Sequence, residues 1–274
     1  MEKMLKDRVA IITGSGRGIG KAAALLFAQE GAKVVVSDID PAPAEETVEE
    51  IKKAGGEAVA YNGDATPDDF AEGIVKAAVD AFGGLHIIVN NAGYTWDAVV
   101  HKMTDKQWEA MMNIHLKAPF RIIRAAAPYF RDAAKKEMEQ GTGPIARKIV
   151  NISSTSGVNG NAGQANYSSG KAGIIGLTKT IAKEWGRFNV QSNAVAYGWV
   201  DTRLTKAKEE TEALERAGEK VSIGVPGQQR EMMKMMIPLG RPGTPEEGAG
   251  VILFLASPLS NYVSGQCIVM NGGQ

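Results

Sequence analysis

Apolar residues occur along this chain in short, nearly uninterrupted runs that alternate with longer stretches of helical length. Seven runs rich in β-branched residues begin at Val9, Lys33, Glu57, Leu85, Lys148, Val190 and Cys267. Strands of a parallel sheet read this way because helices cover both of its faces. The segments between them predict helices at 21–30, 42–54, 67–82, 105–130, 167–186 and 245–255. The alternation predicts an α/β fold with a doubly wound, seven-stranded parallel sheet and helices on both faces.

The chain is expected to form one domain over residues 1–274, because no solenoid repeat and no Pro/Ser-rich linker divides it. The pairs Thr66-Pro67 and Thr244-Pro245 predict two helix starts. Two segments interrupt the rhythm of strands and helices. Residues 135–147 are interpreted as a charged surface excursion, and residues 202–241, rich in charge and methionine, lie where a substrate lid is expected.

Composition narrows the choice of partner and compartment. Lys and Arg together number 31, as do Asp and Glu, so the formal charge is zero and gives no bias towards nucleic acid or anionic membrane. The expected partner is a small molecule or another protein. Cys267 is the single cysteine, which favours a reducing compartment, and no apolar run approaches a membrane span. A cytoplasmic location follows as the expectation.

A glycine-rich loop follows the first predicted strand directly. It reads TGSGRGIG and leads into a predicted helix, with the spacing G-x-x-x-G-x-G on Gly14, Gly18 and Gly20. Glycines at such a turn let backbone amides approach a pyrophosphate at a helix N-terminus. The position of the loop predicts a dinucleotide-binding Rossmann fold.

Asp38 ends the second predicted strand, eighteen residues beyond Gly20. A carboxylate there can accept hydrogen bonds from an adenosine ribose and would repel the additional phosphate of NADP. Arg17 favours the opposite choice, since a cation could meet that phosphate. NAD is predicted over NADP because Asp38 acts directly at the strand tip, whereas Arg17 can face solvent. Asp40, beside Pro41, fits a helix cap better.

Tyr167 and Lys171 stand four residues apart in GQANYSSGK, on a predicted helix. Ionising a phenol of pKa about 10 at pH 7 costs about 4 kcal/mol, so Tyr167 needs help to act as a base. Residues at i and i+4 are neighbours on a helix, and a nearby cation lowers a phenol pKa. Lys171 is therefore expected to lower the pKa of Tyr167.

Further residues join this pair at the expected carboxyl edge of the sheet. Ser154 lies in NISST at the end of the fifth strand, and NNAG, residues 90–93, ends the fourth. The set TGSGRGIG, NNAG, NISST and YSSGK, in this order and spacing, resembles the short-chain dehydrogenase/reductase family over essentially the whole chain. The resemblance implies hydride transfer between a nicotinamide and a carbonyl or secondary alcohol, with Tyr167 as the acid/base, Lys171 holding the nicotinamide ribose and Ser154 polarising the substrate oxygen.

The resemblance also assigns the remaining candidate site residues, and it implies no metal. Asp64 would meet the adenine, and the asparagine, alanine and glycine of NNAG would line the adenosine side. The expected cofactor residues are Gly14, Ser15, Arg17, Gly18, Ile19, Gly20, Asp38, Asp64, Ala65, Asn90, Ala92, Gly93, Tyr167, Lys171, Gly198, Val200 and Thr202. The expected substrate residues are Ser154, Gln164, Tyr197 and Trp199.

Two positions depart from the family pattern. His115, before Leu116, stands where the family usually carries asparagine, and Asn113 lies roughly 200° around a helix from it. His115 is included among the catalytic candidates with two roles open: holding a water of the proton relay through a ring nitrogen, or packing as a neutral ring. Tyr197-Gly198 replaces the usual proline-glycine, and Tyr197 and Trp199 are expected to shape the substrate mouth.

Motif for motif, the likeness is nearest to 3-oxoacyl-thioester reductases and 3-hydroxyacyl dehydrogenases. Dehydrogenases of alicyclic, steroid or sugar alcohols share the same catalytic residues and stay open as alternatives. A dinucleotide-sensing binding protein without turnover is a third, but it predicts loss of Tyr167 or Lys171, and both are present. The family likeness further implies a homotetramer built on the predicted helices 105–130 and 167–186 and on the C-terminal strand.

Overall fold

The computed structural model describes residues 3–206, 214–216, 218–225 and 227–274. Its strands are β1 Val9–Thr13, β2 Lys33–Ser37, β3 Glu57–Ala60, β4 Ile87–Asn90, β5 Arg147–Ser154, β6 Val190–Tyr197, β7 Leu214–Arg216, β8 Glu219–Val221 and β9 Cys267–Met270. Seven of them form one sheet in the order β3-β2-β1-β4-β5-β6-β9, and every pairing in it is parallel. The predicted doubly wound, seven-stranded sheet is confirmed.

Helices cover both faces of this sheet. They are α1 Gly18–Gln29, α2 Pro41–Lys53, α3 Phe70–Phe82, α4 Asp105–Met112, α5 Ala118–Ala125, α6 Ala133–Glu139, α7 Thr155–Asn159, α8 Ala165–Trp185, α9 Gly227–Met236 and α10 Pro245–Ala256. Among the described residues, none of these helices is both long and apolar enough to cross a lipid bilayer.

Alternation along β1, an interior strand of the sheet, explains the layers. Ala10 and Ile12 of β1 belong to one buried apolar cluster, and Val9 and Ile11 belong to another. Successive side chains of a strand point to opposite faces, so a strand that is apolar throughout supplies both cores. The runs that predicted the strands are therefore apolar because helices pack on each side.

The long crossover predicted as one helix over 105–130 is interrupted and extended. Wider π-helical turns at Asn113–Lys117 and Pro128–Asp132 separate α4, α5 and α6. Pro119 has no N–H to donate to the carbonyl of His115, so the regular helical ladder cannot continue through this point. The interruption is local, and the crossover continues to Glu139.

Two helix starts behave differently from each other. Thr244 caps α10 as predicted, and its hydroxyl accepts a hydrogen bond from the Glu247 N–H. The prediction for Thr66-Pro67 is wrong, because α3 begins only at Phe70. The Thr66 N–H and hydroxyl both donate to Asp64 Oδ1 at 2.9 Å, which forms a turn in place of the expected first helical turn.

Candidate active site

A cleft of about 1240 Å³ opens at the carboxyl ends of the parallel strands. The loops that follow the first six strands, β1 to β6, line it, together with parts of the segment that precedes α10. Doubly wound sheets bind ligands at this edge, at the point where the strand order changes direction. Here that point lies between β1 and β4. Most of the residues singled out from the sequence meet here.

The glycine loop forms the floor at one end of the cleft. Gly14 and Gly18 have φ angles of +62° and +56°, a region that favours glycine. Gly20 lies in the first turn of α1, and a Cβ there would come within 2.1 Å of the Gly14 carbonyl oxygen. All three, with Ile19 and Arg17, line the cleft. The backbone of the loop can adopt this compact turn only with glycine at positions 14, 18 and 20.

Ser15 has a different environment from the one expected of a cofactor contact. Its hydroxyl donates to the Ile12 carbonyl oxygen at 2.6 Å and accepts from the Ser37 N–H at 3.0 Å. The side chain is buried and is not among the described residues that line the cleft. Ser15 ties the glycine loop to β2 and shapes the cradle from behind.

Asp38 lines the cleft at the tip of β2, and its carboxylate already has two backbone partners. Oδ2 accepts from the Gly16 N–H at 3.0 Å, and Oδ1 accepts from the Asp40 N–H at 3.2 Å. Arg17 pairs with Asp40 at 2.7 Å, so Asp40 binds the loop arginine as well as preceding α2. The one cation of the glycine loop thus has a carboxylate partner of its own.

The loop after β4 differs from the expectation at one asparagine. Ala92 and Gly93 line the cleft, as do Asp64 and Ala65 after β3. The Asn90 side chain instead points into the protein, where its amide donates to Asn151 Oδ1 at 2.8 Å. Its neighbour Asn91, which was not predicted, donates to the carbonyl oxygens of Thr13 and Gly14, each at 2.9 Å. Neighbouring residues at a strand end face opposite sides, so the doublet in NNAG divides into a core and a cleft residue.

Ser154, Tyr167 and Lys171 come together at the opposite end of the cleft. Ser154 ends β5, while Tyr167 and Lys171 lie one turn apart on α8, and all three residues line the cleft. Lys171 Nζ donates to the Ile152 carbonyl oxygen at 2.7 Å and lies 5.6 Å from the centre of the Tyr167 ring. The sequence prediction that these three side chains share a site is in agreement with this geometry.

The pKa of Tyr167 moves in the direction opposite to the one expected from its sequence. Burial raises the pKa of Tyr167 to about 12, against the lowering effect of its hydrogen bond with Ser154. Burial also lowers the pKa of Lys171 to about 7, so this lysine carries only part of a charge at neutral pH. Loss of solvation disfavours the charged form of both groups, and it is the largest cause of the shift at each of them.

His115 projects from the π-helical turn into the same end of the cleft. Its Nε2 lies 2.7 Å from the Tyr94 carbonyl oxygen, and its ring meets the Tyr167 ring edge to face at 4.9 Å between centroids. Burial and the nearby charge of Lys171 hold its pKa well below the usual range. Of the two roles open from the sequence, the neutral, packed ring describes its surroundings.

The expected substrate residues divide between the wall and the mouth of the cleft. Tyr197 is buried, and its hydroxyl donates to the Gly248 carbonyl oxygen at 2.7 Å, which joins β6 to α10. Its hydroxyl therefore braces the strand, while the residue also lines the cleft. Trp199 is buried on the cleft wall with the guanidinium of Arg230 5.4 Å from its ring centre. Gln164 lines the mouth and donates to Asp97 at 3.0 Å.

Gly198, Val200 and Thr202 continue the same wall beyond β6. The Gly198 N–H donates to the Met270 carbonyl oxygen at 2.9 Å, and a Cβ at Gly198 would meet Asn271 at 2.8 Å. This close packing against the end of β9 fixes the path of the backbone along the cleft. Across the described residues, no group of three His, Cys, Asp or Glu side chains is arranged to hold a metal ion.

Comparison with known proteins adds relatives over nearly the full length. The family model described as enoyl-(acyl carrier protein) reductase matches residues 14–274. The chain is 40% identical over 269 residues to the 3-oxoacyl-(acyl-carrier-protein) reductase FabG of Thermotoga maritima, with 98% of both chains covered. It is also 36% identical over 272 residues to the enzyme of that name from Staphylococcus aureus, covering 99% of this chain and 98% of the relative. A solved dehydrogenase/reductase from Sinorhizobium meliloti superposes with a TM-score of 0.83 at 30% identity, covering 99% and 96% of the two chains.

Proposed function

Because this chain belongs to the short-chain dehydrogenase/reductase family, we propose that it is an NAD(P)-dependent reductase of 3-oxoacyl thioesters, working in reverse as a 3-hydroxyacyl dehydrogenase. One observation carries the reaction class: Ser154, Tyr167 and Lys171 line the same cleft at the carboxyl edge of the sheet, with Tyr167 and Lys171 one helical turn apart. The substrate class rests on relatives whose names specify 3-oxoacyl thioesters.

The glycine loop fits a dinucleotide, because Gly14, Gly18 and Gly20 leave space and backbone amides where a pyrophosphate needs both. When bound, the nicotinamide supplies the hydride that adds to the carbonyl carbon. In the proposed reduction, Ser154 donates a hydrogen bond to the substrate carbonyl oxygen, and Tyr167 delivers its proton to that oxygen as negative charge develops. Lys171, held by the Ile152 carbonyl oxygen, orients the ribose and carries the proton that restores the phenol.

We propose NAD as the preferred cofactor. The Asp38 carboxylate lines the cleft at the tip of β2, where it would face the adenosine ribose and repel a 2′-phosphate. Arg17 is paired with Asp40, which weakens its attraction for that phosphate. The test compares kcat/KM for NADH and NADPH in the wild type and in Asp38→Ser. We expect wild type to favour NADH and the variant to lose that preference, whereas faster turnover with NADPH by the wild type would contradict the assignment.

We further propose that the segment 202–241 acts as a substrate lid. Val225, Met233 and Met236 of this segment line the cleft, and Glu219 of β8 forms an ion pair with Lys106 of α4 at 2.8 Å. Residues 207–213, 217 and 226 of the segment lie outside the described residues. Apolar methionines next to a polar reaction centre suit an acyl chain, because unbranched thioethers adapt to its shape.

The assembly is proposed to be a cytoplasmic homotetramer. A shallow apolar groove lined by Met112, Leu116, Phe120 and Leu177 runs along the outer face of the crossover helices and α8. Near β9, Leu259 and Tyr262 are exposed. The groove lies on the helices expected at one subunit contact, and Leu259 and Tyr262 lie shortly before the C-terminal strand expected at the other. Sedimentation at micromolar concentration tests the assembly, and a monomer there would contradict it.

A substrate panel tests the proposed reaction. Acetoacetyl thioesters, alicyclic and steroid ketones and sugars are assayed with NADH, and the wild type is compared with Tyr167→Phe. We expect turnover of the thioesters, and a fall in kcat of about 10²- to 10⁴-fold in the variant because the proton donor is lost. Tyr61→Phe is the matched control, since Tyr61 packs against Phe70 and is not among the described residues that line the cleft. Preference for a cyclic alcohol would select that alternative, and NADH binding without any turnover would select the binding-protein alternative.

A further inference from the structure

His115 is held as a neutral imidazole with one defined tautomer. Its Nε2 lies 2.7 Å from the Tyr94 carbonyl oxygen, and since a carbonyl can only accept, the proton must be on Nε2. The other ring nitrogen, Nδ1, is buried and has no hydrogen-bond partner among the described residues. Nε2 is therefore hydrogen-bonded to the loop after β4, and Nδ1 is enclosed by protein.

Two glycines provide the space for this ring. A Cβ at Gly93 would come within 2.3 Å of His115 Cε1 and 2.9 Å of Nδ1. A Cβ at Gly170 on α8 would lie 3.1 Å from the His115 Cβ. The imidazole thus lies in a slot between the loop after β4 and the helix that carries Tyr167, and side chains larger than glycine would compete for that slot.

The far side of the slot is the Tyr167 ring. The two rings meet at an interplanar angle of 89° with their centroids 4.9 Å apart, the edge-to-face arrangement that aromatic pairs favour. The helical turn that brings His115 here is the π-helical turn Asn113–Lys117 before Pro119. His115 is therefore the link between the loop after β4, through Tyr94, and the proposed acid/base.

We propose that His115 is a positioning residue for Tyr167: its ring, fixed by the bond to the Tyr94 carbonyl oxygen and enclosed by Gly93 and Gly170, is the wall that holds the phenol towards Ser154 and covers one side of it. The proposal rests on the proposed function for its catalytic consequence. It assigns His115 no proton-carrying role, because Nε2 is occupied and Nδ1 is enclosed.

Two substitutions distinguish a packing role of His115 from a proton-carrying role. His115→Asn removes the ring, and we expect kcat to fall about tenfold with KM for the dinucleotide within about twofold, because the phenol loses its orientation. His115→Phe keeps a ring that meets Tyr167 but cannot exchange a proton, and we expect kcat within about threefold of wild type. A Phe variant as impaired as the Asn variant would overturn the proposal and favour a relay.

A readout without substrate keeps this test independent of the proposed reaction. NMR of tyrosine labelled at Cζ follows the ionisation of each phenol, with Tyr167→Phe identifying the signal. Because burial is the main cause of the raised pKa, opening the wall in His115→Asn should lower the Tyr167 pKa from about 12 by about one unit or more. His86→Asn, at the opposite end of the sheet, is the matched control and should leave it unchanged. An unchanged pKa in His115→Asn would contradict the proposal, whereas wild type inactive on every 3-oxoacyl thioester would contradict only the proposed function.

The slot itself is tested by a double-mutant cycle in urea. Gly93→Ala should destabilise the wild type, because the new methyl group meets the His115 ring, and should destabilise His115→Asn much less. This cycle needs only folding, so it decides the packing even where activity is lost. Equal losses in both backgrounds would show that the ring is not held as proposed.

Discussion

Lys171 Nζ lies 5.6 Å from the centre of the Tyr167 ring and is hydrogen-bonded to the Ile152 carbonyl oxygen, 2.7 Å away, on the strand behind it. The geometry brings the pair as close as their spacing on one helix predicts. Burial nevertheless raises the pKa of Tyr167 to about 12 and lowers that of Lys171 to about 7. In this state the phenol is protonated at neutral pH, which is the form that a proton donor needs.

The pH dependence should therefore differ between the two reaction directions. Reduction uses the protonated phenol, whose population is constant well below its pKa, so we expect its kcat/KM between about pH 7 and 9 to change only with the charge of Lys171, whose pKa is about 7. Oxidation of the 3-hydroxyacyl product requires the phenolate, whose population rises about tenfold per pH unit below its pKa. Initial rates in both directions across this range provide the measurement. Oxidation that levels off near neutral pH would mean that the phenol ionises far below about 12 in the working enzyme.

Gly20 should not tolerate a methyl group. A Cβ there would lie 2.1 Å from the Gly14 carbonyl oxygen, so Gly20→Ala must open the loop, and we expect NADH affinity to fall by about tenfold or more. Gly250→Ala is the matched control on the exposed side of α10, where nothing lies within 4 Å of the new Cβ. That variant should keep NADH affinity and gain about 0.5–1 kcal/mol of stability from helix propensity. Titration of NADH fluorescence and urea unfolding measure the two effects.

Glu137 should be important for stability because it is the partner of a buried cation. Arg147 is buried at the start of β5, and its guanidinium pairs with Glu137 at 2.6 Å. Glu137→Gln leaves that charge without a carboxylate, and we expect the free energy of unfolding to fall by about 3 kcal/mol. The bond to Arg147 also holds the pKa of Glu137 below its usual value, so this stabilisation is complete above about pH 4.5 and is lost as the pH falls through the lowered pKa.

An exposed pair is the control for Glu137. Lys76 and Asp80 form an ion pair one turn apart on the surface of α3. Lys76→Gln should change the free energy of unfolding by less than about 1 kcal/mol. Equal effects of the two substitutions would mean that the burial of Arg147 does not matter.

His86 should make the protein less stable in mild acid. Burial lowers its pKa from 6.5 to about 4, and Nδ1 accepts a hydrogen bond from the Val9 N–H. In the unfolded chain His86 binds a proton near pH 6.5, whereas in the folded protein it does so only near pH 4. The free energy of unfolding therefore decreases as the pH falls from about 6.5 to 4. From pH 7 to 5 this amounts to about 2 kcal/mol. His86→Gln should show a smaller loss over the same interval in urea unfolding; an identical loss would remove His86 as its source.

The sequence predicts a structural feature correctly when residues that are close together in the chain determine that feature. Runs such as VAIIT and KVVVS predicted strands correctly because their apolar character follows from burial on both faces. The glycine loop predicted its own turn because positive φ angles at Gly14 and Gly18 favour one residue type. Thr66-Pro67 does not begin a helix, because the Thr66 N–H and hydroxyl both donate to the carboxylate of Asp64, two residues upstream.

By itself the sequence determined the order of strands and helices, the glycine cradle and the spacing of Tyr167 and Lys171, because each depends on neighbours along the chain. Only the tertiary structure decided which way each side chain faces and how far it is buried. It turned Asn90 into the core and Asn91 towards the loop, joined Tyr197 to α10, and raised the pKa of Tyr167 that its lysine was expected to lower. The physical reason is that desolvation and hydrogen-bond partners come from elements distant in sequence, and in a buried site they outweigh the effect of a neighbour four residues away.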